Sequence, residues 1–152
     1  MTMKGRFLVA AAILLAAAAA RAEDGHFEKT IPFPRRGEAT LGWTYQKCTI
    51  QGVEVRNYPS SEDIEKARSK DPDDHSWLWW EFRVDNRGSR DCKVRLWIEI
   101  LDKNGKVLKD GDRSGSVDAG KIDDSIRVSA RMRTIDAAEA PKVRVRAEII
   151  PK

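Results

Sequence analysis

Histidine, cysteine and long apolar runs are all scarce in this chain, and each scarcity removes a class of function. The 152 residues include two histidines (His26, His75) and two cysteines (Cys48, Cys92). No C-x-x-C pair, H-E-x-x-H or Cys/His cluster accompanies them, so a zinc site or a thioredoxin-type redox centre has no ligand set. No glycine-rich phosphate loop and no serine in a nucleophile-elbow sequence is present. The adjacent carboxylates Asp123-Asp124 would point to opposite faces of a strand, which removes them as an acid–base pair. Beyond residue 22 charges interrupt every apolar segment, so no later membrane span is expected. The sequence calls for no cofactor, and no catalytic residue can be named.

Charge of one sign is also lacking. Lys4, Arg6 and Arg21 are three of the 28 basic residues, and the remaining 130 positions carry 25 basic against 24 acidic residues, net +1. The sequence pI near 9.2 therefore overstates the basicity of the folded part, and nucleic acid is not an expected partner.

What is present begins with an address. Lys4 and Arg6 precede an unbroken apolar run from Phe7 to Ala20, and Ala20-Arg21-Ala22 supplies a small-x-small cleavage site. At 1.5 Å per residue that run reaches only about 21 Å, short of a membrane core of roughly 30 Å. Residues 1–22 read as a signal peptide cleaved after Ala22. The expected location is periplasmic or secreted, with no stable membrane anchor after cleavage. In an oxidising compartment the even pair Cys48 and Cys92 reads as one disulfide.

The rest reads as strands. Residues 23–40, with Pro32 and Pro34, form an extended lead-in or edge segment, and residues 41–152 the domain proper. From Trp43 to Val55 the β-pattern slips between Tyr45 and Cys48, marking a bulge or short break. Ser60–Lys70 is the one helical candidate: Ser60 can cap, Asp63 stands three residues later, and Asp71-Pro72 stops it. In Ser76–Asp85, Leu78, Trp80, Phe82 and Val84 alternate with Trp77, Trp79, Glu81 and Arg83. In Cys92–Leu101, Cys92, Val94, Leu96, Ile98 and Ile100 form the inward set. Asn86-Arg87-Gly88-Ser89 between these segments predicts a hairpin. Asn104-Gly105 predicts a second turn, leading into Lys106–Lys109. Ile122, Ile126, Val128, Ala130 and Met132 form another inward face, and, after an irregular link over 134–141, Val143, Val145, Ala147 and Ile149 the last. One-sided alternation over about seven short strands predicts an all-β, antiparallel, immunoglobulin-like β-sandwich with one short helix. The antibody pattern of Cys, Trp and Cys does not apply, because Arg90 stands where a tyrosine would precede the second cysteine.

The stretch from Trp80 to Arg133 resembles the FxLYD family of small extracytoplasmic β-sandwich domains. The signature falls on Ile98-Glu99-Ile100-Leu101-Asp102, which keeps the Asp but has Ile, Ile and Leu for Phe, Leu and Tyr. Val84-Asp85-Asn86, Asn104-Gly105-Lys106-Val107 and Ala119-Gly120-Lys121 extend the match over a third to a half of the mature chain. The resemblance implies an immunoglobulin-like sandwich acting as an accessory or binding module, and it carries no catalytic residues.

Three surface features are candidates for function. Trp77, Trp79 and Trp97, with Arg95, form an expected aromatic binding face. If the two strands pair as a hairpin, Trp79 stands opposite Trp97. The lead-in or the helix would cover that face unless it binds a sugar, a peptide or another protein. Arg127, Arg131, Arg133, Arg144 and Arg146 form a candidate basic patch, read chiefly as solvated strand faces. The segment Asp110-Gly111-Asp112-Arg113-Ser114-Gly115, with Asp118, matches the start of a calcium loop, but Lys121 stands where the closing glutamate should be. A turn between two strands is the simpler reading, so no metal is expected. The function expected is therefore an exported, non-catalytic binding or accessory module for a protein or glycan partner. The alternatives are a calcium-stabilised adhesion module and a small hydrolase using surface carboxylates. Oligomeric state is not encoded legibly.

Overall fold

The computed structural model describes residues 24–152. The signal-peptide reading of residues 1–22 lies outside the described residues. Eight strands and two helices follow in the order β1 (His26–Pro32), β2 (Ala39–Tyr45), β3 (Cys48–Arg56), α1 (Ser61–Ser69), β4 (His75–Asn86), β5 (Cys92–Leu101), β6 (Val107–Val117), β7 (Asp124–Arg133), α2 (Thr134–Glu139) and β8 (Lys142–Pro151). They form two four-stranded antiparallel sheets, a first of order β1-β8-β5-β6 and a second of order β2-β3-β4-β7. The fold is an all-β sandwich. Among the described residues no helix is long and apolar enough to cross a membrane.

Alternation makes the core. Leu78, Trp80, Phe82 and Val84 of β4 and Val94, Leu96, Ile98 and Ile100 of β5 are buried, as are Ile126 to Met132 of β7 and Val143 to Ile149 of β8 at every second position. The two inner faces press together, and Phe27 of β1 stacks on Trp43 of β2 across the interface, centroids 5.4 Å apart. The Trp80 indole N–H is buried among these apolar groups without an acceptor among the described residues. Ile122 leaves the predicted inward set: it precedes β7 and is exposed.

Strands β4 to β8 trace an immunoglobulin-type Greek key. β4 pairs with β7, while β5 pairs with both β6 and β8. In immunoglobulin lettering β4, β5, β6, β7 and β8 occupy the places of B, C, C′, E and F, and β3 that of A. The place beside F, which the last strand G fills in that fold, is taken here by the first strand, β1. The segment expected as a lead-in or edge segment therefore carries an edge strand of the first sheet.

The strongest correction concerns the Asn86–Ser89 turn. It does not close a hairpin: β4 lies in the second sheet and β5 in the first. The Asn86 side chain, buried at the end of β4, donates to the carbonyls of Arg90 (2.8 Å) and Val117 (3.0 Å) and accepts from Gly88 N–H, fixing a crossover between sheets. The slip at Tyr45–Cys48 is a two-residue hairpin turn in which Gln46 and Lys47 both have positive φ, and the bulges fall instead at Thr40/Trp43 and Ile50/Gly52. The 134–141 link contains α2. Helix α1 has the predicted capping box between Ser60 and Asp63.

Buried polar groups fix the loops. Asp85 accepts from Gln51 Nε2 and from the backbone N–H of Asp123, each at 2.8 Å, and so holds Asp123 at positive φ. Asp102 accepts from the N–H groups of Asn104 and Lys106 in the β5–β6 turn. Arg35 stacks over Phe33 and donates to Tyr58 Oη and to the carbonyls of Ala137, Ala138 and Ala140, closing the C-terminal end of α2. The residues that carried the family resemblance, Asp85, Asn86, Asp102, Asn104 and Gly105, thus build turns.

Candidate functional site

The sheet assignment divides the predicted aromatic face in two. Trp77 and Trp79 lie on the outer face of the second sheet, Trp97 and Arg95 on the outer face of the first, with the core between them. The basic patch divides the same way: Arg127, Arg131 and Arg133 belong to β7, Arg144 and Arg146 to β8. The expectation that Trp79 faces Trp97 failed because a strand pattern gives the face of each strand but not the sheet it joins.

On the second sheet, one end of the outer face is self-neutralised. Glu81 takes Arg56 at 2.7 Å and Arg127 at 2.6 Å, and Arg127 lies 4.2 Å over the Trp79 ring. Arg83 is held by Glu38 (2.8 Å) and Asp123 (3.1 Å), and its guanidinium keeps the Glu38 carboxyl below the usual range. The other end is not neutralised. Trp77 is 55% exposed and stands opposite Arg131, which has no carboxylate partner among the described residues; Arg133 reaches Asp136 at 3.8 Å. Helix α1 does not cover Trp77, contrary to expectation, because it packs against α2.

On the first sheet, strand register sets side chains in rows. One row across the four strands runs Glu28, Arg146, Trp97, Asp112. The row on one side is His26, Glu148, Arg95, Ser114, and on the other Thr30, Arg144, Glu99, Asp110. Glu99 takes Arg146 at 3.0 Å and Arg144 at 3.4 Å, and Glu148 takes Arg95 at 3.7 Å. Trp97 is half-buried beside a shallow recess of about 360 Å³ bounded by His26, Glu28 and Arg146.

The calcium segment is strand, not loop. Asp110, Asp112 and Ser114 are alternate positions of β6, and Asp118 follows its end. Extended backbone separates Asp110 from Asp118 by roughly 26 Å, so the four cannot converge on one ion. The turn reading of this segment is corrected with it. Among the described residues no three His, Cys, Asp or Glu side chains gather as a metal site. The Gly/Ser-rich composition instead suits an edge strand: a methyl group at Gly111 would lie 3.2 Å from the Ser129 carbonyl oxygen, so glycine lets β6 close against β7.

Cys48 opens β3 and Cys92 opens β5, so the pair meets between the two sheets; both are buried free thiols that approach within 2.6 Å. Their mutual hydrogen bond, with burial, pushes the Cys48 thiol above the ordinary range, while that bond draws Cys92 down.

Comparison with known proteins adds little. No family model and no curated protein matches the chain. Among solved structures, it is similar to part of a β-glucuronidase from glycoside hydrolase family 2, with a TM-score of 0.36 and 13% identity over 54% of this chain and 7% of that one. An arabinose-bound GH51 α-L-arabinofuranosidase gives a TM-score of 0.16 and 10% identity over 79% of this chain and 25% of that one. The chain thus spans a small fraction of either enzyme's length, and at these scores the likenesses carry no conclusion about fold or chemistry.

Proposed function

We propose that this protein is an exported, non-catalytic binding module that holds a partner protein on the outer face of the second sheet, its two sheets linked by a Cys48–Cys92 disulfide. One observation carries the reading: Trp77, an indole more than half exposed, stands beside Arg131, a guanidinium with no carboxylate partner among the described residues. Exposed tryptophan and arginine are the side chains that most often dominate protein interfaces. Every other arginine of that face is held by a carboxylate of the protein itself, which leaves Arg131 to meet an acidic group of the partner. The family resemblance points the same way.

Export rests on the N-terminal run and on the closeness of the two cysteines. The non-catalytic reading rests on the sequence, which offers no nucleophile-elbow serine, no zinc motif and no phosphate loop.

The test is affinity capture from periplasmic extract with wild-type protein and with Trp77→Ala and Arg131→Ala. A partner held by the wild type and lost from both variants, at unchanged melting temperature, supports the reading. Equal capture by all three rejects it. An activity screen whose hits vanish on replacing a surface Asp or Glu would overturn the non-catalytic part.

A further inference from the structure

A groove runs between the edge strands of the two sheets, β6 and β7, and we infer that it is a strand-addition site: an extended acidic segment of a partner protein pairs with the free edge of β7. In the immunoglobulin fold strand D lies beside strand E. Here β7, in the place of E, ends the second sheet, and the chain passes from β6 to β7 with no strand between them. The place of D is an open groove of about 410 Å³ between residues 113–116 of β6 and 124–127 of β7.

The groove offers a backbone edge. β7 pairs with β4 without a shift from Asp124 to Arg133 and carries no proline or glycine over that length. The other three edges are blunted. β1 ends in Pro32, β2 is bulged at Thr40/Trp43, and β6 turns Lys109 and Arg113 inward, opposite the buried Ile100 and Leu96. Along an antiparallel edge, backbone groups alternate between the paired side and the open side. The Ser129 carbonyl turns to the open side, where a methyl group at Gly111 would lie 3.2 Å from it, and the Ser125 N–H is taken by the Asp124 carboxylate at 2.9 Å and not by a strand. Alternation therefore aims the N–H and C=O of Arg127 into the groove, where no strand among the described residues meets them.

Charge names the occupant. Glu81, on the groove wall, is held by Arg56 and Arg127, and Asp124 by Lys121 at 3.5 Å. Arg113 is exposed and has no carboxylate partner among the described residues, and Lys109 on the same side of β6 has none either. An added strand directs alternate side chains toward β6, so Asp or Glu at every second position meets these cations, and Gly111 and Gly115 leave room beside them. A second copy of β7 is a poor occupant, since it brings Arg127, Arg131 and Arg133 to an edge that already carries the same three.

Val84 pairs with Asp124 and Trp77 with Arg131, so the groove lies at the other end of β4 from Trp77 and stands independently of the reading built on that residue. The experiment is an NMR titration of the folded protein, to millimolar concentrations, with a peptide of alternating threonine and glutamate and with its threonine–lysine counterpart. The acidic peptide should bind and slow hydrogen exchange of the Arg127 amide, and the basic one should do neither. The acidic peptide methylated on every backbone nitrogen should not bind, because it has no donor for the ladder. Arg113→Glu should weaken the acidic peptide roughly tenfold and admit the basic one, a reversal that also shows the variant to be folded. Trp77→Ala should bind the acidic peptide as the wild type does. No binding of the acidic peptide overturns the proposal, as does equal binding by Arg113→Glu or binding that leaves Arg127 exchange unchanged. So does an Arg127 amide already protected, without peptide, in a self-associated form of the protein, which would make a second copy the occupant.

Discussion

Asp85 shows how one buried carboxylate organises a loop. Burial raises its pKa, but the N–H of Asp123, the Gln51 amide and the nearby Arg87 and Arg83 outweigh that, and the net shift is downward. A depressed folded value means that its contribution is complete above the unfolded pKa near 3.8 and is lost as pH falls through the lower folded value. Wild-type stability in urea should therefore decline below about pH 4, and Asp85→Ala, destabilised by about 1–3 kcal/mol at pH 7, should show a flatter decline. A variant with the wild-type acid slope would show that other carboxylates set it. Arg35 is a second single-residue clasp. Arg35→Lys keeps the charge but loses the fork that reaches three carbonyls and Tyr58, so thermal melts should place it closer to Arg35→Ala than to wild type.

At the scale of elements, the strands were legible because alternation is local. The faces of β4, β5, β7 and β8 and the capped helix α1 could all be read residue by residue. Partnership between strands was not legible. The Asn86-Arg87-Gly88-Ser89 turn says that the chain reverses, and only the buried Asn86 amide, tied to Val117 of β6, directs it to the other sheet. The candidate site failed with that step: Trp79 and Trp97 share alternation but not a sheet, and the row Glu28, Arg146, Trp97, Asp112 draws on four strands whose order no local pattern contains. The β6 segment was misread for a different reason. Its glycines looked like turn formers, whereas Gly111 and Gly115 are there for the close approach of β7. Gly111→Val should push the two edges apart and cost about 1–3 kcal/mol in chemical denaturation. No loss would mean that the seam is slack.

For the whole molecule, cohesion between the sheets depends on the apolar interface and on whatever joins Cys48 to Cys92. A disulfide there closes a loop of 45 residues and should add about 4 kcal/mol in the chain-entropy account. Protein purified from an oxidising compartment should weigh two hydrogens less than the reduced chain, and dithiothreitol should lower its melting temperature. Cys92→Ser should melt at the reduced value in either condition. Two alkylatable thiols in the unfolded, unreduced protein would refute the link.

The placement of β1 beside β8 has a mechanical corollary. His26 lies across from Glu148, so the chain enters and leaves the fold at neighbouring points along one margin. A load applied to both ends would peel β1 from β8 rung by rung, and not shear the whole ladder at once, because antiparallel rungs lie crosswise to the strands. Tethered by both ends, the molecule would yield first at this margin, at low force, while the Greek key of β4 to β8 stayed assembled behind it.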